Sequence, residues 1–302
     1  MGFDLAVATP AFLDLTFTGL EALPALGEER FGSDLLRSPG GGAITAVGAA
    51  RLGLATALAS PLGDDVAGDL VIEVLRGDGI EIVSRKAPRT PTTVVLPVGD
   101  DRAMVTVDPG VRSSAADVAA LSPRAVSVNL DLLYVVPEGA AAYVTCGDDD
   151  ARAFAGRPPA KLSAARALFV SEGEALALSG SDDVEAAIRM LGDVVPTVVV
   201  TLGARGAVAS VEGQQVDAGT APFDALPVVD ATGAGDLLVA AYIWADQLGV
   251  TPSERLQWAV IYASLSVTTP TAVAGAVFLQ RLLEEGAWAG LSAPDGVATN
   301  VG

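Results

Sequence analysis

The order of strand-like and helix-like runs constrains this chain more than any other feature. A β-branched run, Thr197-Val198-Val199-Val200-Thr201, follows a stretch with helical spacing over residues 184–191, and that alternation recurs along the whole chain. Residues 3–8 read as a buried first strand. Gly40-Gly41-Gly42 opens an alanine-rich helix over 43–52 that stops at Gly53. A strand at 54–59 and a helix at 66–76 follow. Strands are then expected at 132–136, 143–146 and 168–170, with a short helix at 163–167. The longest helical stretches are 234–248 and 253–267, and a last one lies near 277–285.

Strands alternating with helices build a largely parallel sheet covered on both faces, so the expected class is α/β. Two β-rich pieces interrupt the pattern. One lies at 13–17, and the other comprises 92–98 and 103–107, separated by a hairpin signal at Gly99-Asp100-Asp101. They are expected to form a small second sheet standing off the first. No repeat, low-complexity tract or linker splits the chain.

Charge and composition exclude several functions. The formal charge of −19 opposes binding to nucleic-acid backbones or anionic membranes. No apolar run is long enough to span a bilayer, and no basic region precedes the first apolar stretch, so a cytoplasmic location is expected. Cys146 is the one cysteine, so no intrachain disulfide can form. The chain has no histidine, which removes every His-based triad and His general base and leaves proton transfer to carboxylates.

The segment that carries chemistry is Asp230-Ala231-Thr232-Gly233-Ala234-Gly235-Asp236, followed directly by an apolar helix. Gly233, Ala234 and Gly235 let backbone N–H groups approach a ligand at a helix N-terminus, where the helix dipole favours an anion. A carboxylate at Asp236 would repel that anion. Its place makes sense if it accepts a proton from a second substrate while the amides hold phosphoryl oxygens. The alternative is a glycine-rich turn in which Asp236 only stabilises the helix start.

This segment resembles the second signature of the PfkB carbohydrate kinases, usually D-T-x-G-A-G-D, with Ala231 in place of the common threonine. Leu23-Pro24, Gly27-Glu28 and Gly40-Gly41-Gly42 look like the family's entry to its glycine pair. Arg51-Leu52-Gly53 and Gly63-Asp64-Asp65-Val66-Ala67-Gly68 match its first signature. Thr201-Leu202-Gly203-Ala204-Arg205-Gly206 matches its T-L-G-x-K/R-G. The matches occur in family order from about residue 3 to residue 280.

The resemblance implies one ribokinase-like domain over 1–302, a three-layer core with a mostly parallel central sheet. A small β lid would be built from segments near 12–38 and 85–108. It implies ATP with Mg2+ as phosphoryl donor, Asp236 as base, and Gly233, Ala234 and Gly235 as anion hole. Asp14, Gly41, Gly42 and Ile44 would line the substrate; Thr201, Gly203 and Gly206 would approach the nucleotide. Glu174 would act indirectly on Mg2+. Asp230 and Thr232 match positions that in some members help hold a monovalent cation such as K+; a plain turn serves as well. A homodimer is one open assembly.

Several positions depart from the family pattern. Ile44 stands where an asparagine usually meets the substrate, with Thr45 beside it. The N-x-x-E pattern appears as Ser171-Glu172-Gly173-Glu174, and Thr271 stands where a glycine is expected. The resemblance therefore leaves the acceptor open among a sugar, a polyol and a nucleoside, and a non-catalytic metabolite-binding protein on the same fold is the reading from another class. Other nucleotide-handling families fail on residues. Neither Lys86 nor Lys161 follows a glycine, as a P-loop requires, and Leu238 occupies the third position of a dinucleotide fingerprint.

Overall fold

The computed structural model describes residues 2–83, 86–98, 101–220 and 228–297. The chain enters through β1 (Leu5–Val7), whose three residues are all buried, as in a strand covered on both faces. It leaves for β2 (Ala11–Thr18) and β3 (Asp34–Gly41), which pair antiparallel outside the central sheet. Helix α1 (Gly42–Arg51) begins on the glycine run. A Cβ on Gly42 would lie 2.2 Å from the carbonyl oxygen of Thr9, so the helix start rests directly on the chain leaving β1.

β4 (Thr56–Leu58) returns beside β1, and the short β5 (Leu62–Gly63) leads into α2 (Val66–Gly77). The aspartate of the G-D-D-V-A-G motif explains that start. Asp65 Oδ1 accepts from the Gly68 amide at 2.8 Å and the Thr90 hydroxyl at 2.7 Å, and Oδ2 accepts from the Thr90 amide at 2.9 Å. Thr90 is thereby held just ahead of β8. The stubs β6 (Glu81–Ile82) and β7 (Lys86–Ala87) precede β8 (Thr92–Val98) and β9 (Asp101–Val107).

The second half alternates as expected. It runs α3 (Ala115–Ala120), β10 (Ala125–Asn129), β11 (Ala141–Thr145), α4 (Asp148–Ala153), β12 (Ala167–Ser171), α5 (Glu172–Ser179), α6 (Val184–Gly192) and β13 (Thr197–Thr201). The antiparallel β14 (Ala207–Val211) and β15 (Gln214–Ala218) finish the sheet. Four helices close the chain: α7 (Ala234–Gln247), α8 (Pro252–Ser266), α9 (Ala272–Gly275) and α10 (Leu279–Trp288).

The central sheet has nine strands in the order β15-β14-β13-β12-β11-β10-β1-β4-β6, parallel from β13 to β6. Period-two alternation divides its side chains between two apolar layers. Val199 belongs to the layer with α1, α7 and α8; Val198 and Val200 belong to the layer with α5 and α6. Helix α7 is buried without a break from Leu237 to Ala245. Trp244 and Trp258 pack edge-on at 5.7 Å, as do Phe169 and Tyr242 at 5.1 Å. Asp246 pins the far end of α7 through Arg255 of α8 at 2.9 Å, Arg166 at 2.8 Å and the Tyr143 hydroxyl.

Residues 13–17 and 92–107 do form a second sheet, four-stranded, in the order β3-β2-β8-β9. Gly99 and Asp100 of the hairpin signal lie outside the described residues; the flanking strands pair antiparallel from Thr92 opposite Val107 to Pro97 opposite Arg102. Two expectations need correction. Residues 132–136 are not a strand: Leu130–Val135 is a 3-10 turn whose leucines are apolar because they are buried, and the strand is β10, just upstream. The expected helix at 163–167 is a 3-10 turn, Ala160–Ala164, and Ala167 already opens β12. Among the described residues no helix is long and apolar enough to cross a membrane.

Candidate active site

The winding of the sheet reverses between β1 and β10. From β1 the chain goes to β4 and β6 on one side, and from β10 to β13 on the other. In open parallel sheets such a reversal leaves a crevice at the carboxyl ends of the strands. The N-terminus of α1 lies there, and so does that of α7, because Thr45 in the first turn of α1 reaches Asp236.

The loop opening α7 is shaped by packing. Gly233 is the N-cap, with φ 75°, a conformation that favours glycine. A Cβ there would fall 2.5 Å from Ala272 Cβ and 2.6 Å from Ile44 Cδ1. Among the described residues nothing lies within 4 Å of a Cβ built on Gly235, which leaves room above the first turn for a ligand. Asp236 follows in that turn, deep in the crevice with part of its surface still reached by solvent. Burial pushes its carboxyl up to about 7; the hydrogen bond from Thr45 works against that rise and the charge of Asp14 adds to it.

Asp14 comes from β2, opposite Ser38 of β3 and Thr93 of β8. Its carboxylate lies flat against the backbone of β3: a Cβ on Gly40 would sit 2.1 Å from Oδ2. Burial pushes Asp14 up to about 6, opposed by a hydrogen bond from Thr93 and assisted by the charge of Asp230. The Thr93 and Thr106 hydroxyls lie 3.0 Å apart, and either can donate to the other.

Asp230 ties two loops together, accepting from the Thr232 amide at 2.8 Å and the Thr271 amide at 3.2 Å. Thr232 Oγ1 is buried with no protein partner among the described residues. Thr271 has φ 69°, a left-handed conformation unusual for a β-branched residue, at the position where a glycine is expected. Gly41, with φ 56°, is squeezed between the Phe12 ring and the carbonyl oxygen of Pro10, each 2.6 Å from a built Cβ.

Thr201, Gly203, Gly206 and Glu174 form a second group on the same edge, at the carboxyl ends of β12 and β13. Gly206 has φ 85°, and a Cβ there would meet the Ala218 carbonyl oxygen at 2.1 Å, so tight packing of the turn requires glycine. At Gly203, φ 59°, nothing lies within 4 Å of the Cβ position. Glu174 makes a capping box with Ser171, accepting from its amide at 2.7 Å. Burial raises its carboxyl above the usual range; its Ser171 hydrogen bonds oppose the rise, and the Asp148 charge adds to it.

The structure thus gathers Asp14, Gly41, Gly42, Asp230 and Thr232 to Asp236 around the carboxyl end of β1. Ile44 is only 2% exposed and packs in the core beneath Gly233. Sequence reasoning named Gly40 and Thr45 without giving either a role, and missed Thr93 and Asn129. Asn129 ends β10 beside β1 and accepts from Thr145 Oγ1 at 3.2 Å; the apolar Ala125-Val126 ahead of it was the available signal. No group of three or more acidic or cysteine side chains among the described residues could hold a metal ion. A cavity of about 740 Å³ lies on the other side of the Thr271 loop, beside Arg51 and Phe278. The guanidinium of Arg51 is occupied by Asp78 and by the carbonyls of Val273 and Ala276.

Comparison with known proteins agrees with this fold. The model of the pfkB family carbohydrate kinases matches residues 29–135 and 139–277. Arabidopsis thaliana ribokinase, solved with ribose and ATP, superposes with a TM-score of 0.75 at 24% identity, covering 94% of this chain and 99% of its own. Ribokinase from Giardia lamblia gives 0.80 at 16% identity over 95% and 99% of the two chains. Adenosine kinase from Sinorhizobium meliloti gives 0.73 at 19% identity over 91% and 98%.

Proposed function

The chain belongs to the pfkB family of carbohydrate kinases, and from that premise we propose that it phosphorylates a hydroxyl of a sugar or sugar-like small molecule, with ATP as donor and Asp236 as base. One observation carries the reading. A carboxylate stands in the first turn of α7 directly behind an open glycine loop, and a second carboxylate, Asp14, faces the same crevice from the other sheet.

ATP with Mg2+, when bound, supplies the phosphoryl group and neutralises its charge. The chain's own groups do the rest. The amides of Gly233, Ala234 and Gly235 receive the phosphoryl oxygens, and the open space above Gly235 suits that task. Asp14 orients the acceptor by taking a hydrogen bond from one of its hydroxyls. Asp236 takes the proton of the attacking hydroxyl onto its free carboxylate oxygen as the new O–P bond forms and the bond from the γ-phosphorus to the departing ADP oxygen breaks. Thr201 and Gly203 flank the nucleotide, and Gly206 shapes their turn. Glu174 would act indirectly on a bound Mg2+ by supplying negative charge nearby. The unpartnered Thr232 hydroxyl beside the Asp230 carboxylate has the hard oxygens a K+ ion prefers. The four-stranded sheet acts as a lid that excludes water from the crevice.

A nucleoside acceptor is the second reading, favoured by the Phe12 ring packed against Gly41 and by the likeness to an adenosine kinase fold. ADP release measured against a panel of sugars, polyols and nucleosides, with Asp236→Asn in parallel, tests both. Turnover with one acceptor class that disappears in the variant supports the proposal. Absence of acceptor-dependent ADP release across the panel would leave a metabolite-binding protein.

A further inference from the structure

Thr45 sits in the first turn of α1, 1% exposed and out of reach of any substrate. A threonine inside a helix usually turns its hydroxyl back onto the carbonyl four residues earlier. This one turns away from its own helix and crosses to α7, where Oγ1 lies 3.3 Å from Asp236 Oδ1 and 3.4 Å from the Asp236 carbonyl oxygen. A hydroxyl has one proton to give. The carboxylate is the stronger acceptor because it is charged, whereas the carbonyl already serves the helix ladder. Thr45 is also the one side chain with a hydrogen bond to the Asp236 carboxylate among the described contacts.

On the reading of Asp236 as the base, we infer that Thr45 is the positioning residue that aims it. By donating to Oδ1, the hydroxyl holds the carboxylate in one rotamer, presents Oδ2 to the acceptor and supports the ionised form. Few other charges act on this pair. Among the described residues, Asp14 from β2 is the titratable group that presses on Asp236. Of the packed helices, α1 carries only Arg51, at its far end and paired with Asp78, while α8 carries Glu254 and Arg255 at the end that meets Asp246.

The test needs no known substrate. Protein labelled with carboxyl-13C aspartate is titrated by NMR, and the Asp236 resonance is identified as the signal lost in Asp236→Asn. Thr45→Val, nearly isosteric, should raise the titration midpoint by about one to two pH units, as loss of a hydrogen bond to a charged group requires. Thr45→Ser should restore it. ADP release with ribose and with adenosine as acceptors should show kcat lower by about tenfold in Thr45→Val, with KM for ATP unchanged. Should the valine variant not fold, Thr45→Ala carries the same expectation. An unchanged midpoint in a folded valine or alanine variant overturns the inference and leaves Thr45 as helix packing. Retained acceptor-dependent turnover in Asp236→Asn instead sinks the assignment of the base, whatever the titration shows.

Discussion

The side chain of Ile44 fills the space directly beneath Gly233, so the loop that opens α7 rests on a buried, branched aliphatic residue. A Cβ at Gly233 would lie 2.6 Å from Ile44 Cδ1, and Ile44 itself is 2% exposed. Trimming this support should loosen the loop. Ile44→Val should lower stability by about 0.5–1.5 kcal/mol and Ile44→Asn by more, since it buries an unpaired amide. Melting curves combined with acceptor profiles decide the matter: a changed acceptor preference without loss of stability would place Ile44 in the substrate site after all.

Asp236→Asn should cut kcat by about 10²–10⁴-fold with little change in nucleotide affinity. It should also stabilise the protein above neutral pH. A carboxyl pushed up to about 7 by burial holds its proton longer folded than unfolded. Its contribution to stability is therefore full below about pH 4, and is lost as pH rises toward 7. At pH 8 the asparagine variant should melt a few degrees higher than the parent, and at pH 4 the two should coincide. Equal melting points at pH 8 would show that Asp236 is not desolvated.

Activity should itself have an acidic limb near pH 7, because only ionised Asp236 can accept the proton. Asp14, pushed up to about 6, must also be ionised to orient the acceptor. Thr93→Val removes its hydrogen-bond donor, so KM for the acceptor should rise and its acidic limb should move upward while KM for ATP stays put. A parallel rise in both KM values would point to a lid defect rather than to Asp14.

Thr271 holds φ 69° in the loop whose amide binds Asp230. Relief of that strain in Thr271→Gly should outweigh the extra entropy of the unfolded chain and the lost contact to the Ala274 amide at 3.4 Å. The expected gain is about 1 kcal/mol, read as a melting point about 2 °C higher. A lower melting point would mean that the Thr271 side chain, not the backbone, holds this loop.

What the sequence determined by itself was local and periodic. The run from Thr197 to Thr201, the helix at α7 and the segment ending in Asp236 are legible because period and small residues act over a few positions. The two-sheet arrangement was legible for the same reason, as β-rich runs broke the alternation. The strand ending in Asn129 was hidden by the leucines after it, since burial in a 3-10 turn and burial in a strand select the same side chains. Only the tertiary structure decided the support of the site: Gly40 making room for Asp14, Thr45 reaching Asp236 across 191 positions, and Ile44 lying under Gly233 rather than facing a ligand. These are contacts between distant segments. Each depends on how α1, α7 and the second sheet pack together, and no short-range pattern in the chain encodes that.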